Sequence, residues 1–340
     1  MMNTYNIVMS FPFPVLVIGP DRKLVCANDK LREMFPRASK GVDLALVTRD
    51  PLLLETVRQV LLRKKAGECE LRIGHSPSRT FKAYASPIFS NSGAHSLDGV
   101  SLSLIEITDS LEAERMYSVF VANVSHELRS PLTTLISAID TLEGPAADDP
   151  SATKRFLNLM MRESQRMKRL IDDLLSLSAV EVRQKEAPTG VVNIAEVLER
   201  IVEILKEQAA QSGIAFDIQM DDAVCNVRGE RDELMQVFRN LIENAMKYGD
   251  PEKGVSIRMT VEEGNALIDV LNWGEPIAEE HIPRLTQRFY RIDSHRAREQ
   301  GGTGLGLSIV KYILNRHKAT LKIRSSAEEG TLFRVRIPCI

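Results

Sequence analysis

Two runs of apolar residues at helical spacing, joined by a short stretch of helix breakers, constrain this chain more than any other feature of its sequence. In the first run Phe120, Val124, Leu128, Leu132, Leu135, Ile139 and Leu142 follow at steps of three and four, the repeat that lines side chains along one stripe of a helix. The run stops near Glu143, where Gly144, Pro145 and Pro150 in GPAADDP break the helix. A second run, from about Ser151 to Glu181, repeats the pattern with Phe156, Met160, Met167, Leu170, Ile171, Leu174 and Leu177. Asp109, with Glu112 three residues on, has the form of a capping box that starts the first helix. Two long helices with a short connection make an antiparallel hairpin whose apolar stripe is wider than one partner covers. Pairing two copies into a four-helix bundle covers it, so a homodimer is expected; the alternative is that both helices pack on other parts of the same chain.

The flanking segments have a different character. Before the hairpin, short apolar runs (Val15 to Ile18, Leu24 to Ala27, Phe81 to Ala85, Val100 to Ile107) alternate with a helical stretch from Leu52 to Leu62, which predicts a small α+β domain with an antiparallel sheet. The phrase VLVIGPDRKLVCANDKLREMF, with a turn at Pro20, Asp21 and Arg22, and the closing IEITD make this part resemble a PAS sensor domain. After Pro188 and Gly190, helices and strands alternate to the end, predicting an α/β sandwich with helices on one face of a mixed sheet. The expected division is therefore residues 1–108, 109–183 and 191–340.

The 44 basic and 46 acidic side chains nearly cancel, and nothing in their distribution calls for nucleic acid. Cys26, Cys69, Cys225 and Cys339 lie far apart in sequence, without the short spacing of a zinc site; reduced thiols in a cytosol are expected. The apolar stretch from Phe11 to Ile18 is interrupted by Pro12 and Pro14 and falls well short of the roughly 20 residues that cross a bilayer. A cytoplasmic chain without a transmembrane segment is expected, associated with a membrane only through a partner or an anchor not included here.

His126 stands in VANVSHELRSPL, two residues from both Val124 and Leu128, so at about 100° per residue it points away from the apolar stripe. An exposed imidazole on a rigid helix is a good nucleophile, and Glu127 is placed to accept its Nδ1 proton. Ser130, four residues on, returns to nearly the same face, where its hydroxyl can position a water; Pro131 is expected to bend the helix beside the site. SHELRSPL resembles the H-box of sensor histidine kinases. The resemblance implies that His126 is the phosphoacceptor, Glu127 its base, and Ser130, where the family usually has Thr or Asn, the residue serving phosphatase activity.

Further on, Asn240, Glu243, Asn244 and Lys247 in NLIENAMKYG share one helical face beside Phe238, Leu241 and Ala245, which are expected to be buried. Carboxamide oxygens suit Mg²⁺, and a lysine neutralises phosphate. GGTGLGLSIVKYIL sets Gly302, Gly304 and Gly306 before an apolar helix, an arrangement in which backbone amides approach phosphates; a dinucleotide fingerprint is the rival reading. The charged stretch DSHRAREQ just before it has the look of a nucleotide lid.

These strings resemble the N-box and G2 box of the ATP-binding (Bergerat/GHKL-type) domain that histidine kinases share with gyrase-type ATPases and Hsp90-type chaperones, and RFYRID resembles the F-box. The resemblance implies ATP and Mg²⁺ as cofactors, with Asn240 and Asn244 on the metal. It places Lys247, Tyr248, Arg291, Gly302, Thr303, Gly304, Leu305, Gly306 and Leu307 around the nucleotide. VLNWGEPI departs from the G1 box: Asn272 stands where the family has an Asp that accepts the adenine amino group, and Pro276 where it has the second Gly. Gly274 and Ile277 keep their places.

The whole resembles a PAS–hairpin–ATPase sensor histidine kinase, nearest to phosphate-regulon sensor kinases, implying autophosphorylation of His126 and transfer to an aspartate of a response-regulator receiver domain. Asn272 and Pro276 leave open a pseudokinase or phosphatase-dominant scaffold with weak ATP binding. A hydrolysing ATPase is disfavoured, because Asn240 replaces the hydrolases' water-activating Glu.

Overall fold

The computed structural model describes residues 8–74, 78–89, 97–183, 186–221, 225–292 and 302–340, and the chain divides into two units, Met1–Val121 and Ala122–Ile340. In the first unit β1 (Val15–Ile18), β2 (Leu24–Ala27), β3 (Gly67–Ile73), β4 (Arg79–Phe89) and β5 (Leu97–Glu106) form one antiparallel sheet in the order β2-β1-β5-β4-β3. Helices α1 (Asp29–Met34), α2 (Leu44–Val47) and α3 (Pro51–Arg63) fill the stretch between β2 and β3. Asp50 caps α3 by accepting the Leu52 and Leu53 amides, with Pro51 at the first position. Buried Asn28 is satisfied on both ends of its amide: Oδ1 accepts the Val15 and Leu31 amides, and Nδ2 donates to the Phe11 and Phe13 carbonyls. One residue thus ties β1 to the start of α1. The turn at Pro20 to Arg22 is present, closed by the Gly19 amide on the Lys23 carbonyl at 2.9 Å. Strand β3 is absent from the sequence expectation, although Glu68, Glu70 and Arg72 alternate there with Cys69, Leu71 and Ile73.

Two long helices follow, α4 (Thr108–Glu143) and α5 (Pro150–Arg183). Helix α4 begins at Thr108, with the Leu111 amide already bonded to the Ile107 carbonyl at 2.9 Å. Asp109 therefore sits inside the first turn and is not the cap the sequence suggests; the side chains of Asp109 and Glu112 lie outside the described residues. Asp149 caps α5 through the Ser151 and Ala152 amides. Leu132, Ile136 and Ile139 on α4, with Leu157, Met161, Ile171 and Leu175 on α5, remain exposed at helical spacing, apolar stripes of the kind a second copy covers. Another face of α5 packs against α8 (Gly306–Arg316) of the same unit.

The rest of the second unit is a mixed sheet of β7 (Phe216–Met220), β9 (Val255–Glu262), β10 (Asn265–Asn272), β11 (Thr320–Ser326) and β12 (Gly330–Pro338), ordered β11-β12-β10-β9-β7. Only the β7–β9 pair is parallel. Helices α7 (Arg231–Tyr248) and α8 pack on the sheet, and α6 (Ile194–Gln211) packs on α7. Phe238, Leu241 and Ala245 of α7 are fully buried beneath it, as their spacing requires; burying a side chain such as Phe238 contributes about 1.5–3 kcal/mol. A small second sheet pairs β6 (Val191–Asn193) with β8 (Asn226–Arg228).

The cysteines need a correction. Cys225, just before β8, and Cys339, just after β12, are joined as a disulfide with their Cα atoms 5.6 Å apart, whereas Cys26 and Cys69 are free. Spacing in sequence is blind to this pairing because it depends on the end of β12 lying beside β8, where Val227 and Cys339 form an isolated bridge.

His317 is a second hidden tie. Its Nδ1 bonds the Ile313 carbonyl at 2.8 Å and its Nε2 accepts the Glu230 amide at 3.1 Å, joining the end of α8 to the start of α7. Only the neutral ring makes both bonds. Burial pushes its pKa down, opposed by the Ile313 carbonyl and by Glu233 and Glu230, and reinforced by Arg316. With the folded pKa below the unfolded one, this contribution is complete above about pH 6.5 and is lost as the pH falls through the lowered folded value. Urea midpoints at pH 7, 6 and 5 are expected to fall more steeply for the native chain than for His317→Gln.

Candidate functional site

His126 is exposed on α4, as its position between Val124 and Leu128 predicts, while Glu127 beside it is half-buried. Ser130 lies half-buried one turn on, and α4 continues through buried Pro131 without a break. The Glu127 carboxylate is gripped from two directions. Arg166 of α5 reaches its Oε2 at 2.8 Å, and Arg291, from the segment before the glycine-rich stretch, reaches the same oxygen at 3.2 Å. Among the described residues nothing bonds Oε1. Arg166 was not anticipated. Its signal is an arginine four residues before Leu170 on the buried face of α5, where it is 9% exposed.

Asn240, half-way along α7, donates from Nδ2 to the carbonyl of Gly306 at 3.4 Å, bringing the polar face of α7 to the start of α8. Asn244 and Lys247 continue that face and are half-buried, and Tyr248 at its end is exposed. Gly304 is left-handed at φ 75°, and a Cβ there would lie 2.9 Å from the Cα of Phe289 and 3.3 Å from Nε of Arg291. The Phe289 amide bonds the Gly304 carbonyl at 2.8 Å, so the RFYRID segment and the glycine segment are clamped backbone to backbone. Tyr290 is stacked under Arg284 and bonded to Nδ1 of His281. Leu305, at the N-cap of α8, is buried and offers no side-chain cap, while Gly306 and Leu307 open the first turn. The amides of that turn are thus available to an anion. Thr303 donates its hydroxyl to Asp173 of α5 at 2.6 Å, and Gly302 is half-buried beside it. The lid-like stretch DSHRAREQ lies outside the described residues.

The electrostatics match this shape. Burial, followed by the neighbouring charges of Arg291, Arg169 and Arg166, pushes Lys247 down to about 8, so more cations are gathered here than the Glu127 carboxylate shared by Arg166 and Arg291 neutralises. Arg291 is almost wholly buried, and its Nε has no hydrogen-bond partner among the described residues. An orphaned buried cationic donor is costly unless an anion completes it. These observations fit a bound polyphosphate, and the amide oxygen of Asn240, whose nitrogen is already committed to the Gly306 carbonyl, suits a hard divalent cation.

Asn272 closes β10 and is 3% exposed. Gly274 follows, and a Cβ there would sit 2.0 Å from the carbonyl oxygen of Tyr248. Thr331 faces Asn272 across β12, and Ser325 bonds both the Thr331 hydroxyl and the amide of Ile277. Ser325 and Thr331 were not anticipated either; only the strand register brings them to Asn272. Trp273 is half-buried with its indole against Gly330, so it packs on the strand end, and Pro276 is exposed.

Comparison with known proteins agrees with this geometry. Residues 116–182 match the family described as His Kinase A (phospho-acceptor) domain, and residues 229–339 match the family of histidine kinase-, DNA gyrase B- and HSP90-like ATPases. The phosphate regulon sensor protein PhoR of Pseudomonas aeruginosa is 38% identical over 229 residues, 67% of this chain and 51% of that protein. Sensor protein SrrB of Staphylococcus aureus is 27% identical over 337 residues, 98% of this chain and 55% of that protein. The chain thus spans about half the length of these relatives. Among solved structures, histidine kinase ThkA in complex with response regulator protein TrrA has a TM-score of 0.53 at 22% identity, covering 99% of each chain, a likeness of fold.

Proposed function

Because this chain belongs to the sensor histidine kinase family, we propose that it phosphorylates its own His126 from Mg-ATP and passes the phosphoryl group to an aspartate of a response-regulator receiver domain. The observation that carries this reading is the grip of Arg291 on Glu127. It brings the neighbour of an exposed imidazole to the same cationic nest that Asn240, Lys247 and the start of α8 form.

Neutral His126 attacks through Nε2. The N–P bond forms as the bond from the γ-phosphorus to the bridging oxygen breaks, ADP leaves with the electron pair, and Glu127 takes the Nδ1 proton. Lys247, Arg291 and the amides of α8 offset charge on the transferring group, which is most of what phosphoryl transfer asks of a protein. Asn240 and Asn244 would hold Mg²⁺, which when bound supplies neutralisation of phosphate charge. Ser130 positions a water for the separate phosphatase activity, hydrolysis of the phosphoryl group on the regulator. Asn240 cannot take a proton from water, which favours transfer over hydrolysis.

The domain division 1–108, 109–183 and 191–340 belongs to the same proposal. Exposed stripes on α4 and α5 support a homodimer through the hairpin, the β2-β1-β5-β4-β3 order supports a PAS sensor domain, and identity to PhoR supports a place near the phosphate-regulon sensors. No helix among the described residues is long and apolar enough to cross a membrane.

Incubation with γ-labelled ATP and Mg²⁺ tests the proposal. Acid-labile, base-stable label is expected on the native chain and none on His126→Gln; label that persists in the variant, or steady ATP turnover without label, overturns it.

A further inference from the structure

The open face of the second unit's sheet carries a hollow of its own. Side chains alternate across a strand, so Leu271 of β10 and Leu332 of β12, paired in register and half-buried, face away from their buried neighbours Asn272 and Thr331. They floor a hollow of about 300 Å³ on the face turned away from α7 and α8, a volume at the lower end of those that hold small molecules.

Three arginines stand round it, Arg258 of β9, Arg334 of β12 and Arg324 of β11, and only one of them has a carboxylate. Arg334 grips Asp269 side-on, Nε to Oδ1 at 2.7 Å and Nη2 to Oδ2 at 2.5 Å, the paired geometry in which a guanidinium fork matches a carboxylate. Arg258 donates from Nε to the amide oxygen of Gln219 at 3.2 Å, and Gln219 in turn donates to Asp217. Arg324 is exposed opposite Leu332 on the edge strand, and it makes no hydrogen bond or ion pair to any described residue. Two guanidinium groups on opposite walls thus lack the partner that Arg334 has. Between β9 and β11 lie β10 and β12, so the two walls are three strand spacings apart, roughly 14 Å between main chains. Two long side chains reaching into the hollow narrow that span to the length of a short molecule with an anion at each end. The leucine floor suits a hydrocarbon middle. One charge opposes this: Glu329, exposed on the turn after β11, lines the same hollow and has no cation partner among the described residues.

We propose that this hollow binds a small dicarboxylate, with one carboxylate on Arg258, the other on Arg324, and the methylene chain on Leu271 and Leu332. Each end repeats the pairing that Arg334 and Asp269 make beside it, and planar forks favour carboxylates in that geometry. The charged contacts lie on the opposite face of the sheet from Asn272 and Thr331, so the inference stands apart from the kinase reading and its failure leaves that reading untouched.

The test is calorimetric titration of the full chain with succinate and with glutarate at fixed ionic strength. Butyrate, which keeps the hydrocarbon and one charge, is expected to bind about fivefold more weakly, and Arg258→Gln and Arg324→Gln are each expected to weaken the dicarboxylate about fivefold, the upper end for one exposed ion pair. Glu329→Gln is expected to tighten it about twofold, by removing the opposing charge. Both arginines are exposed and carry no ion pair, so the denaturant midpoints of their variants are expected to match the native chain. Absence of saturable heat with both dicarboxylates overturns the inference, as does butyrate binding equally well. Dicarboxylate binding that neither arginine variant weakens places the ligand elsewhere and overturns it too.

Discussion

Replacing Gly274 by alanine is expected to abolish measurable nucleotide binding and to destabilise the second unit by about 1–3 kcal/mol, the usual cost of forcing extra carbon into a packed site. The reason is a backbone contact. The new Cβ would lie 2.0 Å from the carbonyl oxygen of Tyr248 and 3.1 Å from its carbonyl carbon. No rotamer relieves a collision with main chain, so either the loop after β10 or the last turn of α7 has to move. The first displaces Asn272 and the second displaces Lys247, which the proposed function puts at the base and phosphate ends of one site. Pro276, two residues on, is exposed, and Pro276→Gly is expected to change affinity little. Nucleotide titration and a denaturant midpoint on both variants check this. A Gly274→Ala chain that binds normally would show that the loop and α7 are not in register as described.

Reducing the Cys225–Cys339 disulfide should cost the second unit about as much as truncating a large core side chain. The two residues are 114 apart in sequence, and closing a loop of about that length in the unfolded chain is worth about 5 kcal/mol in the chain-entropy account, with 2–4 kcal/mol typical in practice. The native fold supplies no obstacle, since Cys225 is buried where β8 meets the end of β12 and the Ile340 amide still bonds the Asn226 carbonyl beside it. Unfolding with and without a reductant, in the native chain and in Cys225→Ser, is expected to give one shared lower midpoint for the reduced and variant forms. Unfolding of the first unit, which holds Cys26 and Cys69 as free thiols, is expected to stay put. If thiol labelling of the unfolded, unreduced chain finds four reactive cysteines, the bond does not form.

The parts of the molecule that local periodicity controls were legible in advance. Steps of three and four placed both long helices and put Phe238, Leu241 and Ala245 under α7. His126 faces solvent for the same reason. Contacts set by tertiary adjacency were not legible. Arg166 and Asp173 lie on α5 and act on Glu127 and Thr303, 39 and 130 residues away, and no spacing rule connects them. The disulfide and the Ser325–Thr331 pair depend on which strands become neighbours. The boundary error at Asp109 is of another kind: a good capping pattern lost to a helix that had already begun at Thr108. Strand β3 carried its own alternation and was still passed over, because a run with Glu68, Glu70 and Arg72 reads as polar when its apolar partners are a cysteine and two aliphatics.

The hydroxyl of Thr303 hangs on α5 through Asp173, a carboxyl whose pKa burial raises, while the same short loop carries the turn that brings Gly304 against Phe289. A twist of α5 about its own axis therefore tugs on the loop where the proposed function seats a triphosphate. The hairpin is then a lever as well as a platform: whatever rotates its helices also sets how firmly the donor is seated, before the acceptor histidine moves at all.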